Sequence, residues 1–293
     1  MSDYTIRVLQ PGDEALLEEF LLPRIDSSMF LIGNARNGGL VDHGERYQGT
    51  YAAAVYDGQI TGVVAHFWNH NIMVQSSVSL AELCQTAIKT SGRPVKGLLG
   101  PAQQVEAIKT RFQIAKDNLQ VDSVEDLFRL TLSELCLPKA LKDGIVQGRL
   151  VTYDDLDLLI EWQAAYAQEA LGEADTPAVR ERRRDNLTQQ IKEQRSWLLE
   201  QEGIPVACSA FNAVTKEAVQ IGGVWTPLAL RGRGYARAVV AASLIAAHAQ
   251  GIETAILFTG INNIAAHRAY IALGFRKVGD YRIVLLHESI EMP

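Results

Sequence analysis

Along the chain, short stretches in which every second residue is apolar alternate with longer ones in which apolar residues recur every three or four. The first period belongs to a strand and the second to an amphipathic helix. "YTIRVL" reads as a strand, and after Pro11-Gly12-Asp13 the segment "EALLEEFLLPRI" reads as a helix. The polar, glycine-rich "NARNGGLVDHGERYQG" reads as a loop. "TYAAAVYDG" and "QITGVVAHFWNHNIMVQ" predict two strands joined by a hairpin at Asp57-Gly58. Helices are predicted around "LAELCQTAIKTSG" and "PAQQVEAIKTRFQIAKDNL", and a strand at "EDLFRLTLSEL".

The second half repeats that order. "GRLVTYDD" gives a strand and a turn, "LDLLIEWQAAYAQEALG" an amphipathic helix, and a further helix starts near Pro177, since proline is favoured at a first helical position. "SWLLEQEG" and "IPVACSAFNAVT" form a second hairpin, with Glu202-Gly203 at its turn. Then come the strand "AVQIGGVWT", an alanine-rich helix, the strand "TAILFTG", the short helix of "NIAAHRAYIALGF" and the strand "RKVGDYRIVLL". Strand–helix–helix–hairpin therefore occurs twice, which predicts two related α/β domains in tandem. Proline, glycines and lysines cluster in "PKALKDGIVQG", so the boundary is expected there, with domains at 1–145 and 146–293.

Composition narrows the picture. A chain of 293 residues fits two domains, and 47% hydrophobic with 21% charged residues is enough apolar material for folded cores. A net charge of −6 argues against nucleic acid as a partner. The one dense basic run, Arg180 to Arg184, reads as a solvated helical face. Cys84, Cys136 and Cys208 lie far apart in apolar settings, a pattern that fits neither a disulfide framework nor a metal site. They read as buried thiols in a reducing compartment. No apolar run approaches the roughly 18 residues of a membrane span, and the N-terminal segment is charged where a signal peptide needs an apolar core. The expectation is a cytoplasmic protein with no membrane contact.

The most specific stretch is "GGVWTPLALRGRGYARAVVAASLIAAHAQG", where a strand, a short loop and a helix meet at Arg231-Gly232-Arg233-Gly234. The backbone N–H groups at a helix start have no intrahelical partner, and the helix dipole adds positive potential there. A phosphate satisfies both. Glycines at 232 and 234 let the backbone approach such a ligand, Ala236 keeps the first turn thin, and Arg231 and Arg233 supply charge.

Val224-Trp225-Thr226-Pro227 followed by Arg231, Gly234 and Ala236 resembles the acyl-CoA-binding motif of the GNAT acetyltransferase superfamily, Gln/Arg-x-x-Gly-x-Gly/Ala. Asn263, Tyr270, Gly274 and Phe275 resemble its second motif, and the two occur in the family's order. The resemblance covers residues 146 to 293. It implies two tandem GNAT-like domains, each a mixed, mostly antiparallel sheet flanked by helices, the first degenerate and the second an acetyl-CoA-binding domain. It further implies that backbone groups of Val224, Trp225 and Thr226 pair with the pantetheine arm. By the same resemblance, amides from Gly232 through Arg233, Gly234 and Tyr235 to Ala236 hold the pyrophosphate, and Asn263 reaches the cofactor. Tyr270 is the implied general acid for the departing thiolate, and a neutral phenol near pH 7 has the proton to give. His267, one turn earlier, reads as a surface or packing residue.

The chain departs from the family in two places. Many members carry a glutamate on the strand leading into the glycine loop, whereas this strand has Gln220, and Glu200 and Glu202 lie only near it. The first half has no Arg-x-x-Gly-x-Gly at the matching place, so it is expected to have lost CoA binding and to contribute a wall of the acceptor cleft, with Asn34, His43 and Trp68 as candidates. The leading expectation is a direct N-acetyltransferase acting on a small-molecule or protein amine. An acyl-CoA-binding regulator is the alternative. A generic nucleotide site is a third, though the loop lacks the Lys-Ser/Thr ending of a P-loop.

Overall fold

The computed structural model describes residues 4–171 and 174–291. Its first half runs β1 (Thr5–Val8), α1 (Glu14–Leu21), α2 (Ile25–Gly38), β2 (Gly49–Tyr56), β3 (Gln59–Phe67), β4 (Asn71–Ser76), α3 (Leu80–Ser91), β5 (Val95–Pro101), α4 (Ala102–Arg111) and β6 (Leu119–Thr131). There follow α5 (Lys139–Lys142), β7 (Gln147–Leu150), α6 (Leu156–Leu171), α7 (Pro177–Lys192), β8 (Ser196–Gln201), β9 (Ile204–Val214), β10 (Ala218–Trp225), α8 (Tyr235–Ala249), β11 (Thr254–Gly260), α9 (Ile264–Ile271) and β12 (Arg276–Ile290).

The chain forms two compact units, neither of them a single stretch of sequence. The first comprises residues up to Leu127 with Phe258–Asn262 and the segment from Lys277 onward, and the second comprises Phe128–Leu257 with Asn263–Arg276. The linker-like segment 138–148 falls inside the second unit, where Ala140, Leu141 and Val146 pack on its core. Strand pairing carries the last segment to the first unit, since β12 runs antiparallel to β5 from Tyr281 opposite Pro101 to Leu285 opposite Gly97.

Each unit is a mixed, mostly antiparallel sheet flanked by helices, and the two repeat one plan. In the first, β1–β2, β2–β3 and β3–β4 pair antiparallel and β4–β5 parallel. In the second, β7–β8, β8–β9 and β9–β10 pair antiparallel and β10–β11 parallel. Both predicted hairpins form. Asp57 and Gly58 have φ of +50° and +76°, and Glu202 and Gly203 have +53° and +78°, the paired positive values that suit a two-residue turn to the strand twist.

Several local expectations change. Helix α2 continues through Asn34 to Gly38, and Gly39 ends it, so the loop begins later than its polar composition suggests. The single long strand expected over 59–75 is two, β3 and β4, turned back at His70, whose φ is +66°. Strand β5 stands between the two helices predicted around 80–92 and 101–119, where the sequence reading places no strand. Gly97 and Gly100 are packing glycines there, because a Cβ would lie 2.4 Å from Asn71 Oδ1 or 2.6 Å from Val74 Cγ2.

Alternation along the strands builds the cores. In the first unit Ala52, Val64, Ile72 and Val74 meet Leu83 and Ala87 of α3, Ile108 of α4 and Val284 of β12. The second unit has a core on each sheet face. Trp197, Phe211, Val219 and Ile221 meet Val239, Val240 and Leu244 of α8. On the other face Leu198, Cys208 and Trp225 meet Leu159, Ile160, Leu187 and Ile191 of α6 and α7. Each such fully buried side chain contributes roughly 1.5–3 kcal/mol of transfer free energy, so both helix layers are firmly held. This double packing fixes β10, the strand on which the candidate site is built.

Candidate functional site

Strands β10 and β11 are parallel neighbours over Ala218–Gln220 against Thr254–Ile256 only. Beyond Gln220, β10 keeps its pairing with β9, with irregularities at Gln220/Ile221 and between Gly222 and Trp225. Gly223 within that stretch has φ +59°, and Gly222 has no room for a Cβ beside the Asn212 amide, 2.0 Å away. The outcome is a strand edge, Ile221–Trp225, turned toward the space that β11 has left. Among the described residues, buried Gln220 Oε1 and Thr226 Oγ1 have no hydrogen-bond partner on this stretch. An extended ligand with amide groups would find backbone partners along such an edge.

The chain then turns into α8. Gly232 and Gly234 have φ of +79° and +81°, the left-handed region that glycine reaches without penalty. Gly234 caps α8 with no side-chain hydrogen bond, and Ala238 N donates to Gly234 O at 3.0 Å to close the first turn. The amides ahead of it lie at the positive end of a 15-residue helix. A Cβ on Gly232 would meet nothing within 4 Å, and one on Gly234 only the tip of Arg237 at 3.8 Å. The space before the helix is therefore open. Val224 packs partly on the core and Trp225 and Thr226 are buried. The Tyr235 side chain is buried too and donates its hydroxyl to Gln201 Oε1, so only its amide faces the turn.

Arg231 is already engaged. Its Nε donates to Thr226 O at 3.1 Å, its two terminal nitrogens reach Glu169 of α6 at 2.9 Å each, and its guanidinium lies 4.6 Å from the centre of the Trp225 ring. Arg233 is exposed and makes a long 3.4 Å bond to Ala229 O. Asn263 is the N-cap of α9, where its Oδ1 accepts from Ala266 N at 3.2 Å.

Tyr270, two turns further along α9, is buried with its ring edge-on to Phe275 at 5.9 Å. Burial first, and then the neighbouring Tyr166, push its hydroxyl well above the usual phenol range. Tyr166 of α6 stands edge-on to Trp225 at 6.1 Å and so links Tyr270 to the parted strand. His267 packs edge-on against Phe128 at 5.4 Å.

A cavity of about 300 Å³ opens on the α6–α7 face of the second unit's sheet. Gln163 and Tyr166 of α6, Arg182, Arg183 and Asn186 of α7, and Asn212, Gly223 and Trp225 of the sheet line it, with no Asp or Glu among the described lining residues. Of the basic run read as a solvated face, Arg182 and Arg184 are exposed and Arg180 is half-exposed, and Arg183 is the exception. Arg180 pairs with Glu161 and Asp175, and Arg184 with Asp157. Arg183 is only 8% exposed and donates to Gln163 O. Asn34, His43 and Trp68 belong to the first unit, and none of them lines this cavity.

Cysteine placement is also corrected. Cys136 is exposed, while Cys84 and Cys208 are buried. Cys208 sits opposite Trp225 on β9, in the cavity wall, although nothing in the sequence brings it near the motif. Burial pushes its thiol up to about 12, which leaves little thiolate for nucleophilic attack near neutral pH.

Glu200 is held by Arg149 at 2.7 Å, and Glu202 occupies the hairpin turn. Gln220 Nε2 donates to Ile221 O at 2.8 Å. No group of three or more His, Cys, Asp or Glu that could hold a metal ion occurs among the described residues, and no helix among them is long and apolar enough to cross a membrane.

The matching region of the first unit is filled by its own side chains. Strands β4 and β5 pair over Asn71–Met73 against Gly97–Leu99. Just beyond, Gln75 Oε1 accepts from Ser27 and Ser28 at 2.7 and 3.1 Å, and Ser76 N donates to Gln104 Oε1 at 2.8 Å. The residue before α3 is Ser79, with φ +49°, where the second unit has glycine.

Residues 156–275 match the family model described as "Acetyltransferase (GNAT) family". Among solved structures, a GNAT-family acetyltransferase from Colwellia psychrerythraea is similar at 16% identity and TM-score 0.54, over 98% of this chain and 100% of that one. A GCN5-related N-acetyltransferase from Sphaerobacter thermophilus matches at 14% identity and TM-score 0.58, over 99% and 96% of the two chains. A tandem GNAT protein from the clavulanic acid biosynthesis pathway matches at 11% identity and TM-score 0.58, over 99% and 100%. These likenesses establish a shared fold. No curated protein sequence matches the chain.

Proposed function

We propose, from the premise that residues 156–275 are a domain of the GNAT acetyltransferase family, that this protein transfers an acetyl group from acetyl-CoA directly to an amine. The observation that carries the reading is the parting of β10 from β11 after Gln220, leading into the uncapped, glycine-flanked start of α8. The edge Val224–Trp225–Thr226 would pair with the pantetheine amides, and the amides from Gly232 to Ala236 would hold the pyrophosphate. Arg231 and Arg233 would add charge, and Asn263 would reach the cofactor from the start of α9. The bound thioester supplies an activated acyl group.

Chemistry at this site needs three things from the chain. The amine must arrive uncharged, the carbonyl must be held still, and the sulfur must leave with a proton. The amine nitrogen forms a bond to the thioester carbon as the carbon–sulfur bond breaks. Tyr270 gives its hydroxyl proton to the departing sulfur, and the proton shed by the amine restores the phenol, so the step balances. Because burial keeps Tyr270 neutral, its hydroxyl holds that proton at every pH in the working range. Cys208, with its raised thiol, is a poor acyl carrier, which favours direct attack over a covalent relay.

In the first unit the positions that would meet a pantetheine arm are taken by Gln75, Ser76 and Gln104. One acetyl-CoA per chain is therefore expected. Calorimetric titration with acetyl-CoA, with ATP and NAD as controls, tests the reading. A single site for acetyl-CoA alone is the expected result, and release of free CoA on adding an acceptor separates the transferase from a silent acyl-CoA binder. Absence of acetyl-CoA binding would overturn both.

A further inference from the structure

The cavity on the α6–α7 face is lined by side-chain amides that the protein itself leaves unused. Gln163 stands on α6, Asn186 on α7 and Asn212 on β9, so three elements each bring one carboxamide to the same space. Among the described residues, none of these three side-chain amides makes a hydrogen bond. The bond from Arg183 goes to the main-chain carbonyl of Gln163 and leaves its side chain open. Arg182 and Arg183 share the wall, but both are engaged by groups of the protein itself, and Asp175 interacts with the Arg183 charge.

The placement of Asn212 is built into the sheet. Its amide lies over Gly222, where a Cβ would come within 2.0 Å of its nitrogen and 2.7 Å of its oxygen. Any side chain at 222 would push the amide away. Gly222 lies two residues past Gln220, the last residue of β10 paired with β11, so the amide rests on the strand where its edge opens. Gly223 and Trp225 of that edge continue the cavity wall. A ligand in the cavity therefore meets Asn212 beside the stretch assigned to the pantetheine arm.

We propose, resting on the transferase reading, that the acceptor is a compact, hydroxyl-rich amine, as in an amino sugar, and that the amides of Gln163, Asn186 and Asn212 hold it. A carboxamide offers an acceptor oxygen and a donor nitrogen side by side, and each hydroxyl of a polyol both donates and accepts. A polyamine offers donors only, so it would use the three amide oxygens and leave their N–H groups unmet. An extended peptide needs its partners in a row along one edge, whereas these amides approach from two helices and a sheet, an arrangement that encloses a ring. A cavity of about 300 Å³ suits one small metabolite at the low end of ligand pockets. Oxygens on the carbons beside an amine also withdraw electrons from it and lower its proton affinity. More of the neutral nucleophile is then present without a carboxylate base, which suits a chain that has Gln220 where many relatives place glutamate.

The test uses the full chain saturated with CoA. Glucosamine, galactosamine and mannosamine are titrated calorimetrically, beside cyclohexylamine, which keeps the ring and the amine but has no hydroxyl, and beside spermidine and glycine. At least one amino sugar is expected to bind, with cyclohexylamine at least tenfold weaker. Asn212→Ala and Asn186→Ala are each expected to weaken that binding at least tenfold, with acetyl-CoA affinity unchanged in both as the control for folding. Should either variant not fold, the wild-type comparison of amino sugar with cyclohexylamine still decides. Equal or tighter binding of cyclohexylamine, spermidine or glycine overturns the proposal, and so does failure of all three amino sugars to bind or undiminished binding in both folded variants. Those results leave the transferase reading standing. Absence of acetyl-CoA binding by the wild-type chain removes that reading and this proposal with it.

Discussion

Gly234 holds φ at +81° at the mouth of α8, a conformation that costs a residue with a Cβ about 1–2 kcal/mol. That cost is small beside the stability of a domain, and a Cβ there meets little of the protein. Gly234→Val is therefore expected to stay folded and to lose at least tenfold in acetyl-CoA affinity, because its branched side chain projects over the amides of the first turn. Calorimetry read beside the circular dichroism spectrum checks this, and unchanged affinity in a folded variant would remove the phosphate-loop assignment. Tyr270→Phe removes one oxygen from a buried ring. Acyl transfer is expected to slow by about 10²-fold or more with acetyl-CoA affinity spared. A CoA-release assay that finds the rate intact would place the acid elsewhere. Both residues stand within contiguous motifs, which is why the sequence discloses them. Tyr166, Arg183 and Cys208 carry no motif, and only packing across elements brings them to the same place.

Helix α6 is fastened to the glycine turn before α8 by the Arg231–Glu169 pair, both partners of which are more than a third exposed. Exposed pairs of this kind contribute about 0–1 kcal/mol, so a doubly charged pyrophosphate competes with Glu169 on favourable terms. Glu169→Gln is expected to raise acetyl-CoA affinity severalfold while changing the melting temperature by no more than a few degrees. Titration of that variant decides whether Arg231 exchanges partners, since an unaltered affinity means it does not. At this scale the sequence is an uneven guide. The hairpins are legible because Asp57-Gly58 and Glu202-Gly203 satisfy a steric requirement that few other pairs meet. Strand β5 is hidden because its glycines mimic turn signals, although they serve close approach to Asn71 and Val74. Within the basic run of α7, Arg183 is misread as solvated because the Gln163 carbonyl that holds it lies on another helix.

Across the molecule the two units share a plan, and the first carries a buried histidine that bears on stability in acid. His66, in the first, has no exposed surface, and its Nδ1 lies 2.7 Å from Ser91 Oγ. Burial first, then the charge of Arg93, push it down to about 4. In the unfolded chain an imidazole titrates near 6.5. Between those values the unfolded state binds the extra proton, so stability is full above about 6.5 and falls as pH drops toward about 4, by at most roughly 1.4 kcal/mol per pH unit. Urea unfolding at stepped pH is expected to show this loss, and His66→Gln to flatten it. An unflattened profile would assign the acid sensitivity to other groups. The repeat of two α/β units is legible in the pattern of the sequence. The membership of β12 is not, because its pairing with β5 spans some 180 residues of chain and leaves no local mark.

That pairing has a consequence for the order in which the protein can be made. The edge of β5 acquires its neighbour only when the segment from Lys277 onward has left the ribosome, after the whole of the second unit has been synthesised. Domains emerging during translation generally fold in turn from the N-terminus, but here the first to emerge is the last to be completed. Until then it presents an unpaired row of N–H and C=O groups, the kind of surface that recruits other chains. Protection of that edge in the newborn chain rests on how quickly the second unit folds and frees the closing strand.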